Sequence, residues 1–131
     1  MITAVVGCLF DKQGNILVIQ NDRGWDLPGG HIEKGENTTE ALIREAQEEA
    51  GAEVKIIELI DIIFPENSKE RYKGKGIAFI KGTVLAFDPQ KAQLMPPEKF
   101  LEKYQQNEFK PIMKKIITKA SCFVHPGGVH L

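Results

Sequence analysis

Arg44 to Gly51 reads Arg-Glu-Ala-Gln-Glu-Glu-Ala-Gly, so three glutamates and an arginine crowd the end of a segment with helical character. On a helix turning about 100° per residue, Glu45, Glu48 and Glu49 fall within an arc of roughly 100°, because positions i, i+3 and i+4 share a face. Thr39, Ile43, Ala46 and Ala50 cluster on a different arc, which is expected to pack on a sheet, with the acids forming a face beside it. Such an acidic face is unfavourable by itself. Like charges three or four apart cost about a few tenths of a kcal/mol per pair, and the helix C-terminus adds its own partial negative charge. One reading is a solvated face partly neutralised by Arg44, which is spaced four from both Glu40 and Glu48. The other is a cation site, because three carboxylates at this spacing supply hard oxygen ligands of the kind Mg²⁺ or Mn²⁺ accepts.

The residues upstream decide between the two. From Gly30 the pattern is Gly30, five residues, Glu36, seven residues, Arg44-Glu45, two residues, Glu48-Glu49, one residue, Gly51. Seven fixed positions would match by chance at roughly one in 10⁸ per start position at average residue frequencies. The stretch from Gly30 to Ala52 resembles the Nudix box of the Nudix hydrolase family, and the lead-in WDLPGG, 25–30, is similar to that family as well. Two positions depart from the family pattern. Ala46 and Ala52 stand where it has bulky aliphatic residues, so less volume is filled while the charged positions are untouched.

The resemblance implies hydrolysis of a nucleoside diphosphate linked to another moiety, by water attack on a phosphorus of the pyrophosphate. It implies Mg²⁺ as cofactor, with Mn²⁺ able to substitute. An acidic site repels a pyrophosphate, and a divalent cation inverts that sign and activates water. By the same resemblance, Glu48 and Glu49 match the main metal-ligand positions. Glu45 matches a ligand or water-activating position, and Gly30 would supply a backbone carbonyl near the metal. Arg44 matches the arginine that orients the carboxylates, which its planar fork suits. Glu36 and Gly51 are structural members of the box, Glu36 tying the loop to the helix or serving as an outer ligand. Gly35 is expected to be a turn.

Beyond the box the reading rests on residue type. The catalytic base is Glu45 or a later acid, with Glu66, Glu70 and Glu98 as candidates beside their ordinary role as surface acids. Arg23, Arg71, Lys73 and Lys75 could contact phosphate. Trp25 could stack on a base or belong to the core. Pro65 and Tyr72 fall near, but not at, the positions where ADP-ribose and dinucleoside polyphosphate subgroups carry a proline or a tyrosine. The coenzyme A and NADH signatures are absent. Compactness favours a nucleoside triphosphate, oxidised forms included. The rivals are a nucleotide-sensing module without catalysis and an RNA 5′-end processing enzyme, for which KERYKGKG, 69–76, is a modest basic patch.

The elements that position these residues follow from apolar patterning. Residues 2–10 and 16–20 read as strands around the turn cluster 11–15. WDL is a short extended piece, and LPGG is a tight entry into the loop HIEKGEN. Asn37 or Thr38 caps a helix that runs to about Ala50 and stops at Gly51. Residues 53–64 form one or two strands, 65–76 a polar loop, and 77–87 a bent strand or a pair. PPEKFLEKYQ and EFKPIMKKIITKA form two helices. The expected class is α+β, a mixed sheet flanked by helices in an α/β/α sandwich, as one domain over residues 1–131.

At 131 residues the chain can bury a real core, and its net charge of −1 provides no global field for nucleic acid or a membrane surface. No macromolecular nucleic acid and no membrane is expected as partner, only a small nucleotide and, by likeness to small family members, a homodimer. The apolar N-terminus meets Asp11 too early to span a bilayer. Cys8 and Cys122 lack metal-ligand spacing and read as reduced thiols in a cytoplasmic protein, a disulfide being the alternative.

Overall fold

The computed structural model of the chain describes residues 1–65 and 74–122. Strands β1 (Ile2–Phe10) and β2 (Ile16–Asn21) flank a turn in which Asp11 Oδ1 accepts from the backbone N–H groups of Gln13 and Asn15, each at 2.9 Å. Short strands β3 (Gly24–Asp26) and β4 (Gly29–His31) follow, then helix α1 (Thr38–Ala50), strands β5 (Glu53–Ile63), β6 (Gly76–Ala86) and β7 (Ala92–Met95), and helices α2 (Pro97–Lys103) and α3 (Lys110–Cys122). The main strand order is β3-β2-β1-β6-β5, with β4 on β1 and β7 on β2. β1 runs parallel to β6, and every other described pairing is antiparallel. The sheet is therefore mixed, as expected.

Side chains alternate across a strand, and here the alternation sorts two cores. Cys8, Phe10, Ile16, Val18 and Phe79 point to one face and pack against Phe100 of α2 and Met113, Ile116 and Ile117 of α3. Val5, Leu9, Leu17, Ile19, Ala78 and Ile80 point to the other and pack against Ala41, Leu42, Ala46 and Ala50 of α1. The α/β/α sandwich expected from the sequence is what these two layers form. Cys8 lies fully inside the first core, where loss of hydration pushes its thiol up to about 12. Among the described residues no helix is long and apolar enough to cross a membrane.

Helix α1 is fixed at both ends. Asn37 accepts from the Glu40 N–H at 2.8 Å while the Glu40 carboxylate accepts from the Asn37 N–H at 2.9 Å, a reciprocal capping box. Gly51 closes the helix in the left-handed region at φ 57°, ψ 33°, and a Cβ there would meet Asp88 Cβ at 2.7 Å.

The structure corrects several details. The inward stripe of α1 is Ala41, Leu42, Glu45, Ala46, Glu49 and Ala50, whereas Thr39 is exposed and Ile43 is 46% exposed. Glu45 and Glu49 thus lie within the inward face, not beside it. Arg44 pairs with Glu48 but not with Glu40, whose carboxylate is committed to the cap. Residues 53–63 and 76–86 are each one long strand. β4 and β7 were not anticipated. Replacing Asn37 with Ala should cost about 1 kcal/mol of stability, read as a lower urea midpoint with an unchanged slope.

Candidate active site

The site begins with two glycines. β4 approaches β1 so closely that a Cβ on Gly29 would strike the Val5 carbonyl oxygen and come within 2.9 Å of Val6 Cα. The Pro28 carbonyl, one residue earlier, accepts from the Gly7 N–H at 2.8 Å. This leaves the Gly29–Gly30 backbone facing α1 with no side chain in between. Glu49 uses that opening, and its Oε1 accepts from the Gly29 N–H at 2.8 Å. Glu45 uses it as well. A Cβ on Gly30 would overlap Glu45 Oε2 and lie 2.6 Å from Glu45 Cδ, so the carboxylate rests on the bare Cα.

Arg44 ties the loop before α1 to the helix. Its Nε and one terminal nitrogen donate to the two oxygens of Glu36 at 2.6 and 3.0 Å, the bidentate geometry that gives arginine its specificity for carboxylates. The same terminal nitrogen donates to the His31 carbonyl at 3.0 Å, and the other donates to Glu48 Oε1 at 3.0 Å and lies 3.3 Å from Glu45 Oε1. Glu36 also accepts from the Glu33 N–H at 2.8 Å. Its hydrogen bonds to Arg44, then the one from the Glu33 N–H, hold its carboxyl below the usual range. Gly35 takes φ 88° at the turn just before Glu36, as its place in the loop suggested.

The two inward glutamates behave oppositely to Glu36. Lost hydration raises Glu49 above the ordinary carboxylate value. Glu45 and Asp26 push in the same direction, while the Gly29 N–H and Arg23 oppose it. Lost hydration also raises Glu45, with Glu48 and Glu33 adding to the shift and Arg44 relieving it. The Glu45 side chain is 13% exposed and that of Glu48 is 59% exposed. Among the described residues no three acidic, histidine or cysteine side chains converge as a ready-made ligand set. Glu48 faces Arg44, Glu45 lies on Gly30, and Glu49 holds the Gly29 N–H. The donor set nonetheless fits a hard divalent cation. It consists of carboxylate oxygens, partly dehydrated and mutually repelling, whose repulsion a cation would relieve.

The remaining sequence candidates are scattered. Arg23 is exposed and lies 3.6 Å from Asp26 and 3.7 Å from Asp22. Trp25 packs against the core under α2 and α3 and carries Lys103 Nζ 5.6 Å from its ring centre, which favours the core role over a free stacking surface. Lys75 is exposed at the entry to β6. Glu98 is exposed in the first turn of α2, in the helical layer opposite α1. Arg71, Lys73, Glu66, Glu70 and Tyr72 lie outside the described residues. Asp26 was missed. It accepts from Gln106 at 3.3 Å and from its neighbour's backbone, the Leu27 N–H, at 2.8 Å, and its charge acts on Glu49. An acid placed just ahead of Leu-Pro-Gly-Gly was the available signal.

These features define an α+β sandwich whose carboxylate-bearing helix is docked on a glycine strand. A family model for the NUDIX domain matches residues 1–117, and the chain belongs to the Nudix family. Over 69 residues it is 35% identical to an 8-oxo-dGTP diphosphatase of Proteus vulgaris, a match covering 46% of this chain and 62% of that protein. Over 48 residues it is 40% identical to an RNA pyrophosphohydrolase of Wolbachia pipientis, covering 34% and 30%. The chain thus matches less than two thirds of the length of these relatives. The fold of the Caenorhabditis elegans Ap4A hydrolase superposes with a TM-score of 0.72 at 21% identity, covering 95% of this chain and 100% of that one. A NUDIX hydrolase from Nitrosomonas europaea gives a TM-score of 0.72 at 20% identity, over 90% and 86%. These likenesses concern the fold.

A carboxyl raised in the native state binds protons there that the unfolded chain has already released. Its effect is to lower stability as pH rises from the ordinary carboxylate range through the raised value. Glu49→Gln removes that penalty yet keeps an oxygen for the Gly29 N–H. With divalent cations chelated, the variant should unfold at a higher temperature than the parent at neutral pH. The difference should shrink as pH falls toward about 4.

Proposed function

We propose that this chain is a divalent-metal-dependent pyrophosphohydrolase that converts a nucleoside triphosphate, oxidised forms included, to the monophosphate and pyrophosphate. The observation that carries the reading is the docking of Glu45 and Glu49 on the Gly29–Gly30 backbone. An isolated acidic face would send these carboxylates into water, whereas here both are held partly buried on that backbone. The 8-oxo-dGTP diphosphatase among the relatives supports the triphosphate as substrate class.

Glu45, Glu48, Glu49 and the Gly30 carbonyl are the groups that would hold Mg²⁺, or Mn²⁺ in its place. When bound, the cation supplies charge neutralisation for the phosphates and a more acidic water. The chain's own residues do the rest. Arg44, locked to Glu36 and His31, keeps Glu48 and Glu45 at one end of the helix. The Gly29 N–H aims Glu49. Glu45, held on the Gly30 Cα beside Arg44, is the group assigned to accept a proton from the attacking water. Arg23 and Lys75, exposed cations, are available to the phosphates. This assignment leaves Glu98 as an ordinary surface acid.

A second reading, RNA 5′-end processing, is favoured by the Wolbachia relative. A substrate panel separates the two. Phosphate and pyrophosphate release is measured with and without Mg²⁺ on unmodified and 8-oxo nucleoside triphosphates, ADP-ribose, nucleotide sugars, dinucleoside polyphosphates and 5′-triphosphorylated RNA. Metal-dependent release of pyrophosphate from the triphosphates is expected, and hydrolysis of the RNA alone would transfer the assignment. Nucleotide binding with no turnover on any substrate would identify a sensing module instead.

Glu48→Gln and Glu49→Gln should each lower Mg²⁺-dependent turnover by at least about a hundredfold with an unchanged circular dichroism spectrum. Near-parental rates in both would remove the metal assignment. Gly30→Ala should also lower Mg²⁺-dependent turnover, because the added methyl occupies the place of the Glu45 carboxylate.

A further inference from the structure

Asp26, the last residue of β3, is held by groups from several parts of the fold. Its Oδ1 accepts from the Leu27 N–H at 2.8 Å. Its Oδ2 accepts from Asn21 Nδ2 of β2 at 3.5 Å and from Gln106 Nε2 of the α2–α3 connection at 3.3 Å. The Arg23 guanidinium lies 3.6 Å from the same oxygen. The Asp26 side chain is 15% exposed and that of Arg23 is 58% exposed. The carboxylate is thus fixed in direction, while the cation beside it stands largely in water.

These ties do not explain why the residue carries a charge. An amide oxygen would accept from the Leu27 N–H as readily, the two hydrogen bonds to Oδ2 are long, and an ion pair with an exposed arginine adds little stability. Negative charge is what an acid alone supplies, and two groups register it. Lost hydration raises Tyr104, buried at the C-terminal end of α2, with Asp26 adding to the shift and Arg23 opposing it. Glu49 of α1, raised first by lost hydration, responds to Asp26 and Arg23 with the same signs. The field of Asp26 therefore reaches both helical layers.

The chain itself bounds the separation. From Asp26 three residues lead to Gly29, whose N–H holds Glu49 Oε1 at 2.8 Å, and three residues span at most about 10 Å. At about that range one negative charge attracts a divalent cation, even at the dielectric constant of water, by enough to change an equilibrium constant about fourfold.

We propose that Asp26 is a positioning residue of the cation site, a fixed charge outside the ligand set that strengthens the hold of the box glutamates on a divalent cation, with Arg23 as its counterweight. This role rests on the reading of Glu45, Glu48 and Glu49 as a cation site. Without a cation, Asp26 only repels Glu49. With one, the same charge adds to the attraction, and the exposed guanidinium of Arg23 subtracts from it.

Mn²⁺ binding to the full chain, followed at low ionic strength by loss of the free-ion electron paramagnetic resonance signal, reads this out without turnover. Asp26→Asn should weaken binding at least about threefold, and Arg23→Gln should tighten it. Both should keep the parent circular dichroism spectrum, and Arg23, being exposed, still decides the matter if Asp26→Asn fails to fold. Asp22→Asn removes the same charge from a side chain that is 90% exposed and should stay within about twofold of the parent. A residue that merely braces β3 would weaken the site whether it or its partner were removed, so responses of opposite sign separate field from scaffold. Equal affinity in the parent and Asp26→Asn overturns the proposal, as does weaker binding in Arg23→Gln. A parent chain that binds no Mn²⁺ overturns the cation-site reading itself, and this role with it.

Discussion

The arrangement depends on the absence of side chains at Gly29 and Gly30. Gly29 lets β4 lie against the carbonyl of Val5, and Gly30 lets a carboxylate sit directly on the chain. A Cβ at Gly29 would strike the β1 backbone and one at Gly30 would displace the Glu45 carboxylate, so a larger residue at either position disturbs the surface on which α1 and its core residues Ala41, Leu42, Ala46 and Ala50 are seated. The site and the packing of that helical layer are therefore one constraint. Small residues serve it on both sides, with glycines on the strand and alanines on the helix. Ala46 and Ala52, smaller than the family pattern has at their positions, are both buried.

Electrostatics and packing oppose each other in α1. Its last turn carries Glu48 and Glu49 and no basic residue, against the preference of a helix C-terminus for cations. Glu45 and Glu49 are also turned inward, where lost hydration raises their proton affinity. The compensation is local. Arg44 gathers Glu36, Glu45, Glu48 and the His31 carbonyl around one guanidinium, and the capping box and Gly51 hold the ends. Local rules broken at one spot and offset nearby are what a functional site is expected to look like.

Much of this was legible in the sequence. The capped helix and its stop at Gly51, the β1–β2 hairpin, the two C-terminal helices and the mixed sandwich could all be read from periodicity, turn residues and the box spacing. What could not be read has physical reasons. β4 is Gly-Gly-His, and a strand defined by close backbone approach leaves no side-chain pattern. β7 has four residues and too little alternation to detect. The inward face of α1 was misassigned because apolar residues were assumed to mark it. Ile43 is exposed because two glutamates take inward positions, and hydropathy cannot reveal a face whose carboxylates are held by backbone. Asp26 is marked in the sequence only by its place just ahead of Leu-Pro-Gly-Gly, and a lone acid in an extended tripeptide has no periodic spacing to add to that signal.

The central pairing of the sheet also bears on how the chain reaches this state. β1 lies parallel to β6 with Ile2 opposite Gly76 and Phe10 opposite Thr83. The strands that hold both cores together are therefore separated by about half of the chain. The hairpin and the capped helix need only local contacts, whereas the parallel pair requires a long loop to close before its contacts form. Closure of that kind slows folding. Until β6 docks, the edge of β1 that it covers has no partner strand. An unpaired edge presents backbone N–H and C=O groups to other chains, so any condition that detaches β6 opens the centre of the sheet to aggregation.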